Sequence, residues 1–363
     1  MRVAALSVVG FRNLAAAEIP LGDGINLAWG PNGAGKTNLL DALYTALAGR
    51  SCRTRNDREA IAFGEPLARA EAWVASAGGE HAFMTAISRA DGRRQRVDGQ
   101  PAEAEHATLR PALAVFLPDR LVLVKGPPAA RRAHLDRFSA ALWPARAESR
   151  RRYSRALAQR NALLGRIRSG GASAGSLDAW DSELAAAGAE LIAARAEASA
   201  LLAPEFTALA AALGLEGEAT LEYAPRSEAT TASELAAELG VRREADLVRG
   251  FTTHGPHLDE LALRLDGRLL RRYGSQGQQR IGVLALLFAE REVLVGTGRP
   301  APLMLLDDVT SELDTDRRRL LCDRVAGGQA LLTATEPDQL PAVSRTEIAL
   351  TSGRAITAAS RAA

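Results

Sequence analysis

The sequence predicts an α/β protein in which a mixed sheet with flanking helices and an antiparallel β meander are interrupted by an inserted all-helical lobe. Three observations predict this class. Strand and helix patterns alternate at both ends of the chain, strand-like runs with glycine turns fill residues 67–97, and strand patterns are missing from residues 131–213. A chain of 363 residues also has room for two domains of ordinary size. We therefore expect a discontinuous head of residues 1–115 and 250–363, with the lobe formed by residues 116–249.

The N-terminal elements follow from apolar spacing and glycine turns. An apolar run over residues 24–29 predicts a strand, and leucines then recur at helical spacing until Gly49. Between residues 67 and 97, alternating runs are separated by turn pairs, at Gly78-Gly79, Asp91-Gly92 and Asp98-Gly99. Tight turns between alternating strands predict an antiparallel meander.

The middle of the chain predicts a helical hairpin. Helical spacing covers residues 147–168, and a heptad-like seam runs from Leu177 to Leu201. The Ser- and Gly-rich residues 169–176 form a flexible turn between them. A helix of about 25 residues spans only about 38 Å, so we expect a short lobe and not a long coiled-coil arm.

After residue 213 the chain returns to a mixed pattern. The expected elements are a strand at residues 261–265, a helix at 276–295, a buried strand at 302–306, a helix from Thr315 and a last strand at 330–333. Because both ends of the chain carry α/β patterns, we expect the two flanks to form one domain.

Residues 30–37 match the phosphate-loop pattern G-x-x-x-x-G-K-[ST] without a mismatch. The pattern lies between a predicted strand and a predicted helix, where backbone amides and a helix N-terminus bind phosphate oxygens. Lys36 would place a charge between the β- and γ-phosphates, and Thr37 would offer a hydroxyl to Mg²⁺. A chance glycine-rich turn is the alternative, which this context disfavours. We predict an ATP-binding loop made of Gly30, Pro31, Asn32, Gly33, Ala34, Gly35, Lys36 and Thr37.

Two adjacent acids end the predicted strand at residues 302–306. A triphosphate site needs a second Mg²⁺ partner at the end of a neighbouring strand, and Asp307 fits this role through water. Asp308 would then orient or deprotonate the attacking water. The alternative is a strand that ends in two solvated acids. Adjacent carboxylates at a buried strand end repel each other without a cation, which favours the metal site.

A third motif, Ser275-Gln276-Gly277-Gln278, precedes a predicted helix. Alone it is a weak signal, because Ser and Gly cap many helices. It stands between the phosphate loop and the two acids, which is the motif order of an ATP-binding-cassette (ABC) head. In that fold the motif of one subunit closes the nucleotide bound by the other. One copy per chain therefore predicts an ATP-dependent homodimer, with Ser275, Gly277 and Gln278 at the partner's γ-phosphate.

Further motifs resemble those of one family along nearly the whole chain. They lie at residues 11–14, 30–38, 49–54, 126–128, 131–132, 135–136, 159–164, 255–257, 275–280 and 306–314. In this order they resemble the RecF family of bacterial recombination mediators. The resemblance implies a head like those of chromosome-condensing and break-repair ATPases, with weak ATPase activity and ATP-driven dimerisation. It also implies DNA as a partner, both duplex and junctions of single and double strands.

The resemblance carries further expectations for partners and residues. Such proteins act with RecO and RecR to help load RecA at single-strand gaps, and they are linked to replication restart and the SOS response to damage. Carried over by position, the phosphate loop binds ATP, Asp307 supports Mg²⁺ and Asp308 is the catalytic carboxylate. Ser275 acts in trans. Arg12 and Asn13 are expected to line the nucleotide.

Two features predict slow hydrolysis. Where ABC transporters usually carry a Glu, the second acid is Asp308, which is one methylene shorter. No histidine follows His257, so the switch histidine of transporters is missing and Thr335 stands near that place. The sequence therefore predicts a protein that binds ATP and hydrolyses it slowly.

A nucleotide-binding subunit of an ABC transporter, or another ABC-type ATPase that does not act on DNA, is the second interpretation. A transporter subunit would need a surface for a membrane partner and a switch histidine, and it would not need a helical lobe of about 80 residues. No run approaches the roughly 18 apolar residues of a membrane helix. Cys52 and Cys322 cannot form a disulfide framework, which suits a cytoplasmic protein.

The sequence leaves the DNA-binding surface open. The net charge of +2 is close to neutral and by itself gives no sign of affinity for nucleic acid, so a DNA-binding surface must be sought in local patches of charge. Residues 146–168 hold eight arginines and one acid, and residues 177–205 hold six acids and one arginine. These helices therefore either offer charge to DNA phosphates or pair with each other. Other candidates are two arginine groups in the head, namely Arg50, Arg53, Arg55 and Arg58 after the phosphate-loop helix, and Arg93, Arg94 and Arg96 at a hairpin turn.

Overall fold

A computed structural model describes residues 1–103, 105–118 and 121–361. The strands are β1 (Arg2–Val9), β2 (Ala17–Pro20), β3 (Ile25–Trp29), β4 (Leu67–Ser76), β5 (Gly79–Ser88), β6 (Gly92–Val97), β7 (Gln100–Pro101), β8 (Leu113–Phe116), β9 (Ala219–Ala224), β10 (Glu260–Leu265), β11 (Arg268–Leu269), β12 (Leu303–Leu306), β13 (Ala330–Ala334), β14 (Arg345–Thr351) and β15 (Arg354–Arg361). The α-helices are α1 (Lys36–Ala48), α2 (Val122–Lys125), α3 (Pro128–Leu142), α4 (Ala147–Arg168), α5 (Leu177–Ala212), α6 (Ala232–Arg249), α7 (Leu270–Tyr273), α8 (Gln276–Gly296) and α9 (Thr315–Val325).

Contacts divide the chain into two units. The head unit is Met1–Arg120 with Pro300–Ala363, and the middle unit is Leu121–Arg299. The domains expected from the sequence also include five residues outside the described part of the chain, which are residues 104, 119, 120, 362 and 363.

A mixed sheet in the head unit brings the ends of several strands to one edge. Its order is β15-β14-β3-β13-β12-β8. The strands from β14 to β8 pair in parallel, and β15 is antiparallel to β14. Parallel strands present their carboxyl ends at the same edge, so the residues after β3, β12 and β13 lie close together. This edge carries the candidate site.

The predicted meander forms the second sheet of the head unit, in the order β2-β1-β4-β5-β6-β7 with antiparallel pairs throughout. Helix α1 packs on β4 and β5 on one side and on β13 on the other. Its leucines at 39, 40, 43 and 47 are completely buried. The α/β head with its meander is therefore confirmed, and α1 is fixed between its two sheets.

The helical hairpin of the middle unit is confirmed, but its second helix is longer than expected. Helix α4 has the predicted bounds, whereas α5 has 36 residues and a length of about 54 Å. The helix continues past Pro204, and its extra turns bury Phe206 and Leu209. Burial of these side chains stabilises turns that proline would otherwise disfavour.

Pairing between the charged segments of the hairpin is observed for Arg146, Arg152 and Arg160, which contact acids of α5. Five of the eight arginines between residues 146 and 168 form ion pairs. Arg160 is completely buried and donates to Asp181 at 2.6 Å and to Asp246 at 2.7 Å. Most of the positive charge of α4 is therefore neutralised within the middle unit.

Residues 219–299 differ from the expected division of the chain. The lobe is not all-helical, because it contains β9, an edge strand of a three-stranded antiparallel sheet in which β10 pairs with both β9 and β11. Helix α8 packs along α5. These contacts place residues 250–299 with the middle unit, although the sequence predicts them in the head. The strand at residues 330–333 is also not the last, since β14 and β15 follow it.

Candidate functional site

The glycines of the phosphate loop are required by its geometry. The loop leaves β3 after Trp29 and enters α1 at Lys36. Gly30 has φ 152°, and a Cβ there would lie 2.1 Å from the carbonyl oxygen of Leu350. Gly35 has φ 108° and caps α1 in the left-handed region. Larger residues would be strained at both positions, so the backbone path of the loop depends on glycine.

Lys36 folds back onto this loop. Its Nζ donates to the carbonyl oxygens of Gly30, at 2.7 Å, and Pro31, at 3.1 Å. Burial lowers the pKa of Lys36, and the charges of Asp308 and Asp307 oppose that shift. The ammonium therefore lies at the loop where a phosphate would bind, within electrostatic reach of both acids.

Thr37 and Asp307 meet at the carboxyl edge of the mixed sheet. The Thr37 hydroxyl donates to the Asp307 carboxylate, at 2.9 Å from Oδ1 and 3.0 Å from Oδ2. Burial raises the pKa of Asp307, and the hydrogen bonds from Thr333 and Thr37 oppose this. A hydroxyl and a carboxylate are hard oxygen ligands of the kind Mg²⁺ takes together with phosphates. The two residues predicted to hold the metal are therefore in contact and fit it.

Asp308 follows directly in a left-handed conformation, with φ 47° and ψ 35°. Its backbone N–H donates to the Thr333 hydroxyl at 2.9 Å, and its carbonyl oxygen accepts from Ser311 Oγ at 2.9 Å. The side chain is half-buried, and its charge opposes the lowering of the Lys36 pKa by burial. The charge of the predicted catalytic carboxylate thus acts on the predicted phosphate-binding lysine.

Ser275 begins α8 in the middle unit as part of a capping box. Its Oγ accepts from the Gln278 backbone N–H at 3.2 Å, and its N–H donates to Gln278 Oε1 at 2.7 Å. Gln279 is buried, and its amide donates to the carbonyl oxygens of Leu270 and Gly274 in the preceding turn. Ser275 and Gly277 are exposed. The motif is therefore a rigid helix start that faces solvent.

Comparison with known proteins gives the family. A family profile described as RecF/RecN/SMC N terminal domain matches residues 2–346. A DNA replication and repair protein RecF from Anaeromyxobacter sp. (strain Fw109-5) is 40% identical over 349 residues, which cover 93% of each chain. The chain belongs to the RecF family. The RecF-family membership predicted from the motifs is confirmed.

Solved structures agree with the RecF-family fold. A structure described as the recombination mediator protein RecF-ATP in the RecFOR pathway has a TM-score of 0.85 and 26% identity, covering 98% of this chain and 97% of that one. An SMC head bound to the C-winged helix domain of ScpA has a TM-score of 0.61 and 15% identity, covering 99% and 97%. The second likeness concerns the fold alone. The ABC-type head is therefore confirmed.

Within the described residues, no helix combines the length and apolarity needed to cross a membrane.

The two further residues implied by RecF-family resemblance have different surroundings. Asn13 Nδ2 donates to the Gly33 carbonyl oxygen at 2.9 Å, so Asn13 contacts the phosphate loop. Arg12 instead pairs with Asp41 of α1, with its Nη2 at 2.9 Å from Oδ2. Asn13 thus contacts the phosphate loop, whereas the Arg12 guanidinium is paired with a carboxylate of α1.

Several residues of this RecF-family site are missed by sequence reasoning. Asp41 is completely buried and accepts from Arg12, the Ser51 hydroxyl and the Cys52 backbone N–H. Thr333 bonds to the Asp307 carboxylate and to the Asp308 backbone N–H. The one feature of the sequence that could have pointed to it is a polar residue within an otherwise apolar strand. Thr335, expected near the switch-histidine position, is hydrogen-bonded to Gln339.

Proposed function

We propose that this chain is an ATP-driven, DNA-binding switch of replication and recombinational repair. The contact between Thr37 and Asp307 carries the proposal, because it joins a phosphate loop to a strand-end carboxylate 270 positions away. Relatives that are named DNA replication and repair proteins, and a relative solved with ATP, support it. ABC transport is not favoured by any contact of the described residues.

The residues of the head unit suit binding and slow hydrolysis of ATP with Mg²⁺. The loop amides and Lys36 would hold the phosphates, and Thr37 and Asp307 would hold the metal. Bound Mg²⁺ would neutralise charge on the β- and γ-phosphates. Asp308 would orient or deprotonate the attacking water. Its short side chain reaches less far than a glutamate, which supports a slow, weak ATPase.

ATP-dependent dimerisation is proposed through Ser275. Because a backbone N–H can only donate, the Ser275 oxygen accepts from Gln278, and its hydroxyl donates to no acceptor among the residues that the structure describes. An exposed hydroxyl proton at the N-terminus of a helix of 21 residues suits the γ-phosphate held by a second copy. Gly277 and Gln278 lie in the same turn.

This proposal predicts that Ser275→Ala weakens the ATP-dependent dimer by about 10- to 100-fold for each of its two nucleotide sites. The lost hydrogen bond to a charged phosphate is worth about 1.5–3 kcal/mol. Sedimentation with a non-hydrolysed ATP analogue measures the dimer constant. Thr231→Ala is the matched control, because Thr231 forms an equivalent capping box on α6 without a proposed ligand. Equal dimer constants for wild type and Ser275→Ala would contradict the role in trans.

We place the DNA-binding surface on the head unit. The head basic face comprises the exposed Arg50, Arg55, Arg58 and Arg93. Two contacts join its segments. Arg93 of β6 pairs with Asp57 at 2.9 Å, and Gly49 lies so close to Gln95 that a Cβ would be 2.4 Å from its Oε1. The arginine group after α1 and the one on β6 are therefore neighbours. Many exposed arginines on one face suit contact with a phosphate backbone.

Replacing Arg50, Arg55 and Arg58 together by alanine should weaken duplex binding by about 10- to 100-fold and lower the salt slope by about 2.7. Anisotropy titrations over a range of salt concentrations measure both quantities. The matched control is the triple alanine variant at Arg146, Arg151 and Arg152, which removes the same charge from the paired surface of α4. A larger loss of duplex affinity in the control than in the head variant would show that DNA binds to the hairpin and not to the head basic face.

In the cell, we propose that this switch acts in the cytoplasm, where it binds duplex DNA and junctions and works with RecO and RecR to help load RecA at gaps. The decisive experiment measures the ATPase rate against protein concentration, with and without gapped DNA. A rate that rises faster than protein concentration, and further with DNA, supports a dimeric DNA-bound ATPase. An ATPase rate per molecule that changes neither with protein concentration nor with gapped DNA would overturn the proposal.

A further inference from the structure

We propose that Thr333 is a positioning residue that sets both carboxylates of the site at once. The inference rests on the proposed ATPase function. It starts from one hydroxyl group with two partners, Asp307 on one side and the backbone of Asp308 on the other. Nothing in the sequence motifs assigns Thr333 a role.

The direction of the two hydrogen bonds is determined by chemistry. The Asp308 backbone N–H, 2.9 Å from Thr333 Oγ1, can only donate, so the hydroxyl oxygen accepts there. The hydroxyl proton then points to Asp307 Oδ1, which is 2.8 Å away. Thr333 therefore links the metal-binding carboxylate to the backbone of the catalytic one.

Thr333 is well placed to hold this geometry rigidly. It is completely buried in the central strand β13, which pairs in parallel with β3 and β12. Strands in this position usually carry apolar residues on both faces, and the other residues of β13 are alanine and leucine. A buried hydroxyl is tolerated when its hydrogen bonds are made, which is the case here.

The backbone of Asp308 needs such support. Residues other than glycine rarely adopt φ 47°, and Asp308 does so between two hydrogen bonds, from its N–H to Thr333 and to its carbonyl oxygen from Ser311. Without the Thr333 hydroxyl, the N–H loses its partner and the residue is free to relax. The carboxylate would then miss the position from which it acts on water, while the phosphate loop stays unchanged.

We therefore expect Thr333→Val, which keeps the shape and removes the hydroxyl, to lower kcat for ATP by about 10- to 100-fold. The KM for ATP should stay within about twofold, since the phosphate loop is unchanged and Asp307 keeps its hydrogen bond from Thr37. Thr333→Ser keeps the hydroxyl and should restore the rate. Thr85→Val is the matched control, because Thr85 is another buried threonine of the head unit that donates to a backbone carbonyl, at 2.9 Å.

A second measurement tests the bond without nucleotide. Amide hydrogen exchange of the peptide containing Asp308 should be faster in Thr333→Val than in wild type, and unchanged in Thr333→Ser and Thr85→Val. If Thr333→Val fails to fold, Thr333→Ala and Thr333→Ser form an equivalent pair, since both lack the methyl group and only alanine lacks the hydroxyl.

Three results would overturn the inference: a wild-type kcat in the hydroxyl-free variants, a serine variant as slow as the valine or alanine variant, or unchanged exchange at Asp308. A fall in kcat with unchanged KM, restored by serine, supports it. A wild-type protein that neither binds nor hydrolyses ATP would instead refute the proposed function, and the exchange measurement would still report on the bond.

Discussion

Replacing Lys36 by alanine should weaken ATP binding by about 100-fold and abolish the ATP-dependent shift from monomer to dimer. The buried ammonium is held at the phosphate loop by the carbonyl oxygens of Gly30 and Pro31. Charge-assisted contacts to a triphosphate in such a site are each worth about 1.5–3 kcal/mol. Lys36→Arg should also impair binding, because a planar guanidinium cannot take the place of a compact ammonium there.

Equilibrium binding of a fluorescent ATP analogue, followed by gel filtration, measures both effects of the Lys36 variants. The matched control is Lys125→Ala, since Lys125 is exposed in the middle unit and is the other lysine of the chain. Tight ATP binding by Lys36→Ala would show that the phosphate loop does not hold the nucleotide. A loss of binding in the control would point to a general effect on folding.

The Asp308→Asn variant should hydrolyse ATP about 100- to 1,000-fold more slowly and still bind it. Asparagine keeps the shape and removes the charge needed to orient or deprotonate water. It also tolerates the left-handed backbone of this position, so the local fold should be retained. Because hydrolysis would normally end the ATP-bound state, the dimer should live correspondingly longer.

Single-turnover hydrolysis and the rate of dimer dissociation after ATP removal test this expectation. Asp316→Asn is a suitable control, because Asp316 is an exposed acid of α9. Equal hydrolysis rates for wild type and Asp308→Asn would exclude Asp308 as the catalytic carboxylate. Slow hydrolysis with an unchanged dimer lifetime would show that dimer dissociation does not depend on hydrolysis.

The local elements were predictable because they depend on residues a few positions apart. A helical stretch predicted at roughly residues 147–168 matches α4, and Gly-Gly and Asp-Gly pairs marked the turns of the meander. The phosphate loop is recognisable for the same reason, since its glycines, lysine and threonine act within eight positions. The order of the motifs then indicated the family, which the comparisons confirm.

Elements defined by distant partners were not predictable in the same way. The strand predicted at residues 261–265 was expected in the head, but the hydrogen bonds of β10 to β9 place it in the middle unit. Helix α5 was expected to be shorter, and the burial of Phe206 extends it. In both cases a packing partner outweighs the local pattern.

By itself, the amino-acid sequence determined the phosphate loop, the pair of acids, the helix that begins after Ser275 and the family to which they belong. Only the tertiary structure decided that Thr37 meets Asp307, that Thr333 bonds to both acids, and that four arginines of α4 pair with carboxylates. The physical reason is the separation along the chain of the residues that interact. Turns and helices form from neighbours in the chain, whereas a hydrogen bond or ion pair joins whichever groups the packed sheets and helices bring within about 3 Å.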